Sequence, residues 1–400
     1  MKIPKKYEFI IQLGKALHAY GVPSHKIQRY LKQVSKRKNI SGSFMDSPTR
    51  INYVFYDKHT EESFSYLEAV DPGQLNLGAM AKVVEVAERV QDKSLDFEVA
   101  KRALHIIEQK TKKINHFILI LAYTWGAGAF SLLLGTNWIS CIVSFFMGGV
   151  VYLLSFLSSK FTFINNTFEA LASFTVSILI GILSLYFPSI NVPITILAAI
   201  IILIPGMAIT TALEEITYKS LVSGSAKFFD AFMSLFKQFF GVLLAFSIFK
   251  VVHDIDIVRP VINDIPKWAT YMGIPLLSVC LLPIFQVRKK DVLFSILTCI
   301  ISYSISVLFS FSGILLSTFI GSLTVVLVSN LFSKITGSPR LVYITQGIIM
   351  LVPGSKAFIG ISSVFLDTPV QNTESIGMQV AYILMGVIGG LLFSGPLNTK

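Results

Sequence analysis

Ten apolar runs of about 20 residues, each long enough for an α-helix to cross a ~30 Å hydrocarbon core, leave this chain few folds to adopt. They fall at 117–135, 138–158, 169–187, 193–213, 229–250, 267–285, 292–310, 312–333, 340–362 and 376–396. Lipid offers a backbone no hydrogen-bond partner, so segments of this length must close their own bonds as helices. The balance of the whole chain agrees. Of its 400 residues, 53% are hydrophobic and 14% charged, a ratio that excludes a soluble protein of this size.

Charge divides the chain. Residues 1–116 carry 20 Lys/Arg and 13 Asp/Glu, against 14 and 10 in the remaining 284. A polar cytoplasmic domain therefore precedes a membrane domain. The opening stretch "MKIPKKYEFIIQLGKALHAYGVPSHK" does not read as a signal peptide, because Lys15 interrupts its short apolar run. The net charge of +11 does not point to nucleic acid, since the basic residues are interspersed with acids and no recognition motif accompanies them. Topology explains it. With the N-terminus inside, the inner loops hold nine Lys/Arg (Lys160, Lys219, Lys227, Arg288, Lys289, Lys290, Lys334, Arg340, Lys400) and the outer loops three (Lys250, Arg259, Lys267). Basic residues are retained on the cytoplasmic side, so both termini are expected there, in a multi-pass protein of the cell (inner) membrane.

Two of the runs contain a helix-breaking pair. Ile201 to Gly206 and Ile349 to Gly354 align at an offset of 148, with Ile, Leu, Pro and Gly identical. The same offset carries span five onto span ten and span one onto span six. The expected fold is thus a mainly α membrane protein whose ten transmembrane helices form two inverted five-helix repeats with interrupted helices, behind a small α/β cytoplasmic domain. The expected boundaries are 1–116, 117–253 and 254–400. Inverted repeats with broken helices are a recurring build of secondary transporters. Pro205 and Pro353 lack an N–H, so the carbonyls of Ile201 and Ile349 are expected to lose their partners, and Gly206 and Gly354 let the chain bend.

Residues 1–116 alternate between two periodicities. "YEFIIQLGKALHAYG", "PSHKIQRYLKQVSKR", "GAMAKVVEVAERVQ" and "FEVAKRALHIIEQK" have helical spacing, while "TRINYVFYD" and "ESFSYLEAV" suggest a hairpin turning near His59 and Thr60. No nucleophile, phosphate loop or metal cluster stands out, and His18, His25, His59 and His105 are given structural or surface roles. Cys141, Cys280 and Cys299 lie in apolar runs, too far apart for metal-ligand spacing, and are read as small packing residues.

Polar groups inside the spans are expensive and therefore informative. Lys356, ~24 Å along span nine at 1.5 Å per residue, either neutralises a substrate carboxylate or snorkels outward. Asp230 and Lys237 share a face of span five, as a charge pair, part of a proton relay, or interfacial residues. Glu214 and Glu215 end span four, in a solvated loop or with one of them coupling protons. Thr210, Thr211, Thr345, Gln346 and Ser355 surround the breaks, where they either satisfy backbone or bind a zwitterion. Pro205, Gly206, Pro353 and Gly354 complete that set. Gly386 and Gly390 form a GxxxG assigned to close helix packing.

"GKALHAYGVPSHKIQRYL", then "DPGQLNL", then "IPGMAITTALEEITYKSLVSG" in the fourth span resemble the threonine/serine exporter family. "SPRLVYITQGIIMLVPG" is similar to that family's smaller partner domain, a separate protein in some two-component succinate exporters, so both halves are fused here. The resemblance covers nearly the whole chain and implies export of a small solute. The family pattern after the first Pro-Gly offers an Asn and two Asp where this chain has Thr211, Glu215 and Ser220.

The expected function is secondary active export of a threonine/serine-like amino acid or a small carboxylate, coupled to H+ or Na+, without cofactor or enzymatic activity. No GxxxxGK[ST] loop supports ATP-driven transport by this chain. A succinate-type dicarboxylate, a passive channel, and a membrane transferase using Asp254 and Asp256 with a metal are the alternatives. The expected partners are the solute, the coupling ion and the lipid bilayer, with a homo-oligomer left open.

Overall fold

The computed structural model describes residues 3–56, 63–111, 115–253, 265–351 and 376–393. The N-terminal unit comprises α1 (Lys5–Ala19), α2 (Ser24–Arg37), β1 (Ser41–Ser47), β2 (Arg50–Tyr56), β3 (Ser63–Ala69), α3 (Leu77–Gln91) and α4 (Phe97–Thr111). The strands form an antiparallel sheet in the order β1-β2-β3. The hairpin expected from the sequence is β2-β3, and the turn between them, with His59 and Thr60, lies outside the described residues. β1 is an addition to that expectation. Its sequence, "SGSFMDS", is poor in β-formers, and its place is set by full pairing with β2, from Ser41 opposite Tyr56 to Ser47 opposite Arg50. Along β2, Ile51, Tyr53 and Phe55 alternate inward and are fully buried, the period-2 pattern of a half-covered strand. They pack in one core with Ile10, Leu13 and Leu17 of α1. Gly14 is required there, because a Cβ would collide with the Tyr53 hydroxyl.

The rest of the chain is helical. α5 (His116–Leu133), α6 (Trp138–Ser158), α7 (Thr162–Tyr186), α8 (Val192–Ile200), α9 (Gly206–Thr217) and α10 (Leu221–His253) belong to the first half. α11 (Lys267–Ile284), α12 (Val292–Leu308), α13 (Ile314–Thr336), α14 (Arg340–Ile349) and a last helix, α15 (Ile376–Phe393), belong to the second. Among the described residues seven helices are long and apolar enough to cross a membrane, and eight if the bent pair α8 and α9 counts as one span. The ninth expected span, 340–362, is described only as far as Leu351, and the last helix is a shorter apolar one.

Side-chain caps start several helices. Asn76, Asn115, Asn137 and Asn191 each accept a backbone N–H in the first turn of α3, α5, α6 and α8. α5 packs on α6 and α11, α7 pairs with α10, and α13 pairs with α15. The GxxxG reading holds for the last contact. A Cβ on Gly386 would strike Thr318, and one on Gly390 would strike Ser322, both on α13. The three cysteines are buried and unpaired. Cys299 does more than fill space, donating its thiol to the Gln346 carbonyl at 3.3 Å.

The N-terminal unit is fastened to loops of the helical part. Leu77 donates its backbone N–H to Phe285 O (2.9 Å), and Asn76 Nδ2 donates to Gln286 Oε1 (2.7 Å). Arg288 bridges Glu85 of α3 (2.8 Å) and the fully buried Asp291 (2.7 Å). Asp291 also accepts from Ser338 (2.5 Å) and Tyr343 (2.8 Å). Leu341 and Val342 of α14 are buried in the N-terminal unit's own core. Lys219 and Gln286, in the loops after α9 and α11, sit in the left-handed region at φ 66° and 51°. Side chains with a Cβ adopt that region at a cost, offset here by the contacts these loops make.

Candidate functional site

The first break forms as its residues dictate. α8 runs nine residues, tightens into a 3₁₀ turn at Ile201–Leu203, and passes through an extended Ile204 to Pro205. α9 then starts at Gly206, bent 55° from its predecessor. The expected loss at the Ile201 carbonyl does not occur, because the 3₁₀ turn brings the Ile204 N–H to it at 3.2 Å. The Leu203 carbonyl is met by a side chain instead, accepting from Gln238 Nε2 of α10 at 2.9 Å. Gln238 is fully buried, and its Oε1 has no partner among the described residues.

Three of the hydroxyls expected near the breaks come together. Thr210 and Thr211 of α9 and Thr345 of α14 line one narrow cavity, together with Glu214 and with Pro23 and Lys26 of the N-terminal unit. Its volume, ≈ 20 Å³, suffices for about one water molecule and admits no amino acid. Thr210 donates to the Gly206 carbonyl (3.2 Å) and Thr345 to Leu341 O (2.8 Å), so both satisfy backbone, and each oxygen retains acceptor capacity. Gln346 is not among the lining residues. Its backbone carbonyl receives the Cys299 thiol, and its Nε2 is buried with no partner among the described residues. Ile349 and Met350 pack against the same apolar cluster as Ile201, Leu203 and Ile204, and α14 touches α9. Pro353, Gly354, Ser355 and Lys356 fall outside the described residues, as do Asp254, Asp256 and Arg259.

Beside the cavity the "GVPSHK" segment meets the end of α9. Glu215 is fully buried rather than in a solvated loop. Its Oε1 accepts the Ser24 backbone N–H at 2.8 Å and the Lys227 ammonium at 2.5 Å. Ser24 is the first residue of α2, so the carboxylate sits where the unpaired N–H groups and the positive dipole end of that helix favour an anion. Glu215 Oε2 is buried with no partner among the described residues. Lys26 lies 3.5 Å from Glu214, and the His25 ring stacks on Tyr218 at 4.4 Å. Burial, then the cationic neighbours Lys26, Lys227 and Arg29, pushes His25 down from 6.5 to about 3. Glu214 stands 3.7 Å from His25 Nε2, too far for a good hydrogen bond, and does not reverse this.

Of the readings open for Asp230 and Lys237, the charge pair is not formed. Two turns separate them, ~10 Å along the axis. Lys237 lies 3.7 Å from Glu169 of α7 instead, and Asp230 is exposed. His18 is structural as expected, held 2.7 Å from Asp46 in the buried interior. His25, Gln238 and Ser24 were missed by sequence reasoning, since Ser24 and Glu215 are 191 residues apart and no spacing rule joins them.

Comparison with known proteins decides the family. A family model described as "Putative threonine/serine exporter" matches residues 8–249, and one described as "Threonine/Serine exporter, ThrE" matches residues 271–395. The chain belongs to the threonine/serine exporter family. It carries both of the family's modules, fused in the order the sequence motifs indicated. The Pheromone-regulated membrane protein 10 of Eremothecium gossypii is 25% identical over 88% of this chain and 48% of that protein. An uncharacterized protein of Schizosaccharomyces pombe is 25% identical over 98% of this chain and 55% of its own. The Kluyveromyces lactis Pheromone-regulated membrane protein 10 is 24% identical over 99% and 44%. The chain thus spans about half the length of the curated relatives it matches. No solved structure matches it.

Proposed function

We propose that this family member is a secondary active exporter of a small, threonine/serine-like amino acid, working as an antiporter against an H+ or Na+ gradient across the cell membrane. The observation that carries the reading is the shared cavity. Hydroxyls from the first half (Thr210, Thr211) and the second (Thr345) meet at a bent helix pair, with Pro23 and Lys26 of the N-terminal unit completing the wall. Its present volume corresponds to a closed state, and export requires the Pro23–Lys26 segment to part from α9. Glu215 is the favoured proton-coupling group, being buried, held through one oxygen and unpartnered at the other. Asp230 and Lys237 are weaker candidates, one exposed and the other paired elsewhere. Pro353, Gly354, Ser355, Lys356 and Gln346 complete the proposed substrate site from the second half.

The proposed architecture is ten spans in two inverted repeats, 117–253 and 254–400, behind a cytoplasmic domain, 1–116, with both termini cytoplasmic. Several contacts support it. Ser144 of α6 donates to Thr195 O of α8 (3.5 Å), and Ser302 of α12 donates to Gly347 O of α14 (3.0 Å), the same relation in each half. The loops holding Lys219, Arg288 and Ser338 all gather at the N-terminal unit. Thr136, Asn137, Ser189 and Ile265 meet one another separately (Asn137 Nδ2 to Ser189 O 2.6 Å, Ile265 N to Thr136 O 3.3 Å).

Inside-out vesicles test the reading with labelled threonine, serine and succinate, with and without an imposed pH or sodium gradient. Gradient-dependent accumulation of serine or threonine is expected. Accumulation of succinate alone would move the substrate to dicarboxylates, and equilibration without accumulation under every gradient would make the protein a channel.

A further inference from the structure

We propose that Gln238 is a substrate-binding residue whose side-chain oxygen receives the ammonium group of an α-amino acid at the first helix break. The assignment rests on the exporter reading above and narrows its substrate class to zwitterions rather than dicarboxylates.

Gln238 lies on α10, and its amide reaches the break itself, donating from Nε2 to Leu203 O at 2.9 Å and to Ser234 Oγ at 3.4 Å. A carbonyl can only accept, so the amide nitrogen must face Leu203 and the oxygen must face elsewhere. That oxygen is wholly buried and lacks a partner among the described residues. A buried acceptor left unpaired costs about 1–3 kcal/mol and calls for an explanation. Tying down the Leu203 carbonyl accounts for the amide nitrogen but gives the oxygen none. A binding role does.

The surroundings set the sign of the ligand group. α8 ends at Ile200 and its 3₁₀ extension at Leu203, so the negative end of a helix dipole lies where Gln238 attaches. α9 begins three residues on, at Gly206, with no side chain capping its N-terminus. One break thus presents a cation-favouring end beside an anion-favouring end, the charge pattern of a zwitterion. A succinate-type solute brings two carboxylates and would set one against the α8 terminus and the Gln238 oxygen.

The full-length protein in proteoliposomes provides the test. Counterflow of labelled serine is inhibited with unlabelled serine or with glycerate, which replaces the ammonium by a hydroxyl and keeps the rest. Wild type is expected to favour serine strongly. Gln238→Met is expected to weaken serine about 10- to 100-fold, the loss of one hydrogen bond to a charged group, while glycerate inhibition changes little. Gln238→Glu keeps an acceptor oxygen whether or not it is ionised, and is expected to retain the serine preference. Gln238→Leu replaces Gln238→Met if the latter does not fold. A wild type that does not distinguish serine from glycerate overturns the assignment. So does a Gln238→Met protein that loses both solutes equally, which would make the side chain a strut for the break. Absence of any serine counterflow in wild type overturns the exporter reading and this assignment together. Serine counterflow with an unchanged preference in Gln238→Met overturns this assignment alone.

Discussion

At the residue scale, the contacts that join the N-terminal unit to α9 make two predictions. His25, held at about 3 against an ordinary 6.5 by burial and cationic neighbours, is neutral when docked and takes up a proton more readily when released. Its contribution to docking is complete above pH ~6.5 and is lost as pH falls toward 3, by up to about 1.4 kcal/mol per unit. Protection of the α2 amides, with exchange corrected for its intrinsic pH dependence, should therefore fall between pH 7.5 and 5 in wild type. It should do so less in His25→Phe, which keeps the stack on Tyr218 and cannot titrate. Glu215 and Lys227 predict a second asymmetry. Lys227→Met leaves a buried carboxylate without its cation and should destabilise the detergent-solubilised protein by about 3–5 kcal/mol. Adding Glu215→Gln should recover much of that loss in thermal unfolding, and additive losses would show that the pair is not coupled. None of these partners was legible beforehand. Thr210 and Thr211 were, because a Pro-Gly break announces itself in sequence, whereas Gln238 looked like any polar residue in a long apolar helix.

At the element scale, helices were readable wherever the apolar spacing was sustained, as in α1 to α4 and the long membrane helices. β1 was not, since its Ser, Gly and Asp acquire strand geometry only from pairing with β2. Close packing of α15 was readable from Gly386 and Gly390, its partner α13 was not, and the seam permits a sharp test. Gly390→Leu forces a side chain into Ser322 and the α13 backbone, an overpacking that should cost about 1–3 kcal/mol. Gly377→Ala, where a Cβ meets nothing within 4 Å, should leave the melting temperature within error of wild type. Equal effects at the two positions would mean that the helices do not meet along this face.

At the scale of the whole molecule, an N-terminal α/β unit is wedged onto loops from both halves of a helical membrane domain, and its motifs are the wedges. "GVPSHK" closes on α9, and "DPGQLNL" closes on the loop after α11. The sequence suggested a separate domain of unassigned role; the burial of Leu341 and Val342 in its core reflects long-range packing that local patterns do not encode. In a background lacking Cys141, Cys280 and Cys299, cysteines at Ser225 and Ser189 should react with an impermeant reagent from opposite membrane faces, and labelling from one face alone would contradict the alternating topology. The central claim is that solute crosses at the bent α8–α9 pair. Replacing Pro205 and Gly206 together by alanines restores helix-forming residues across the bend. Serine efflux from proteoliposomes, at matched protein abundance, is the direct measurement. The account predicts a folded, inserted protein whose efflux falls to the level of empty liposomes, and efflux near wild type would contradict it.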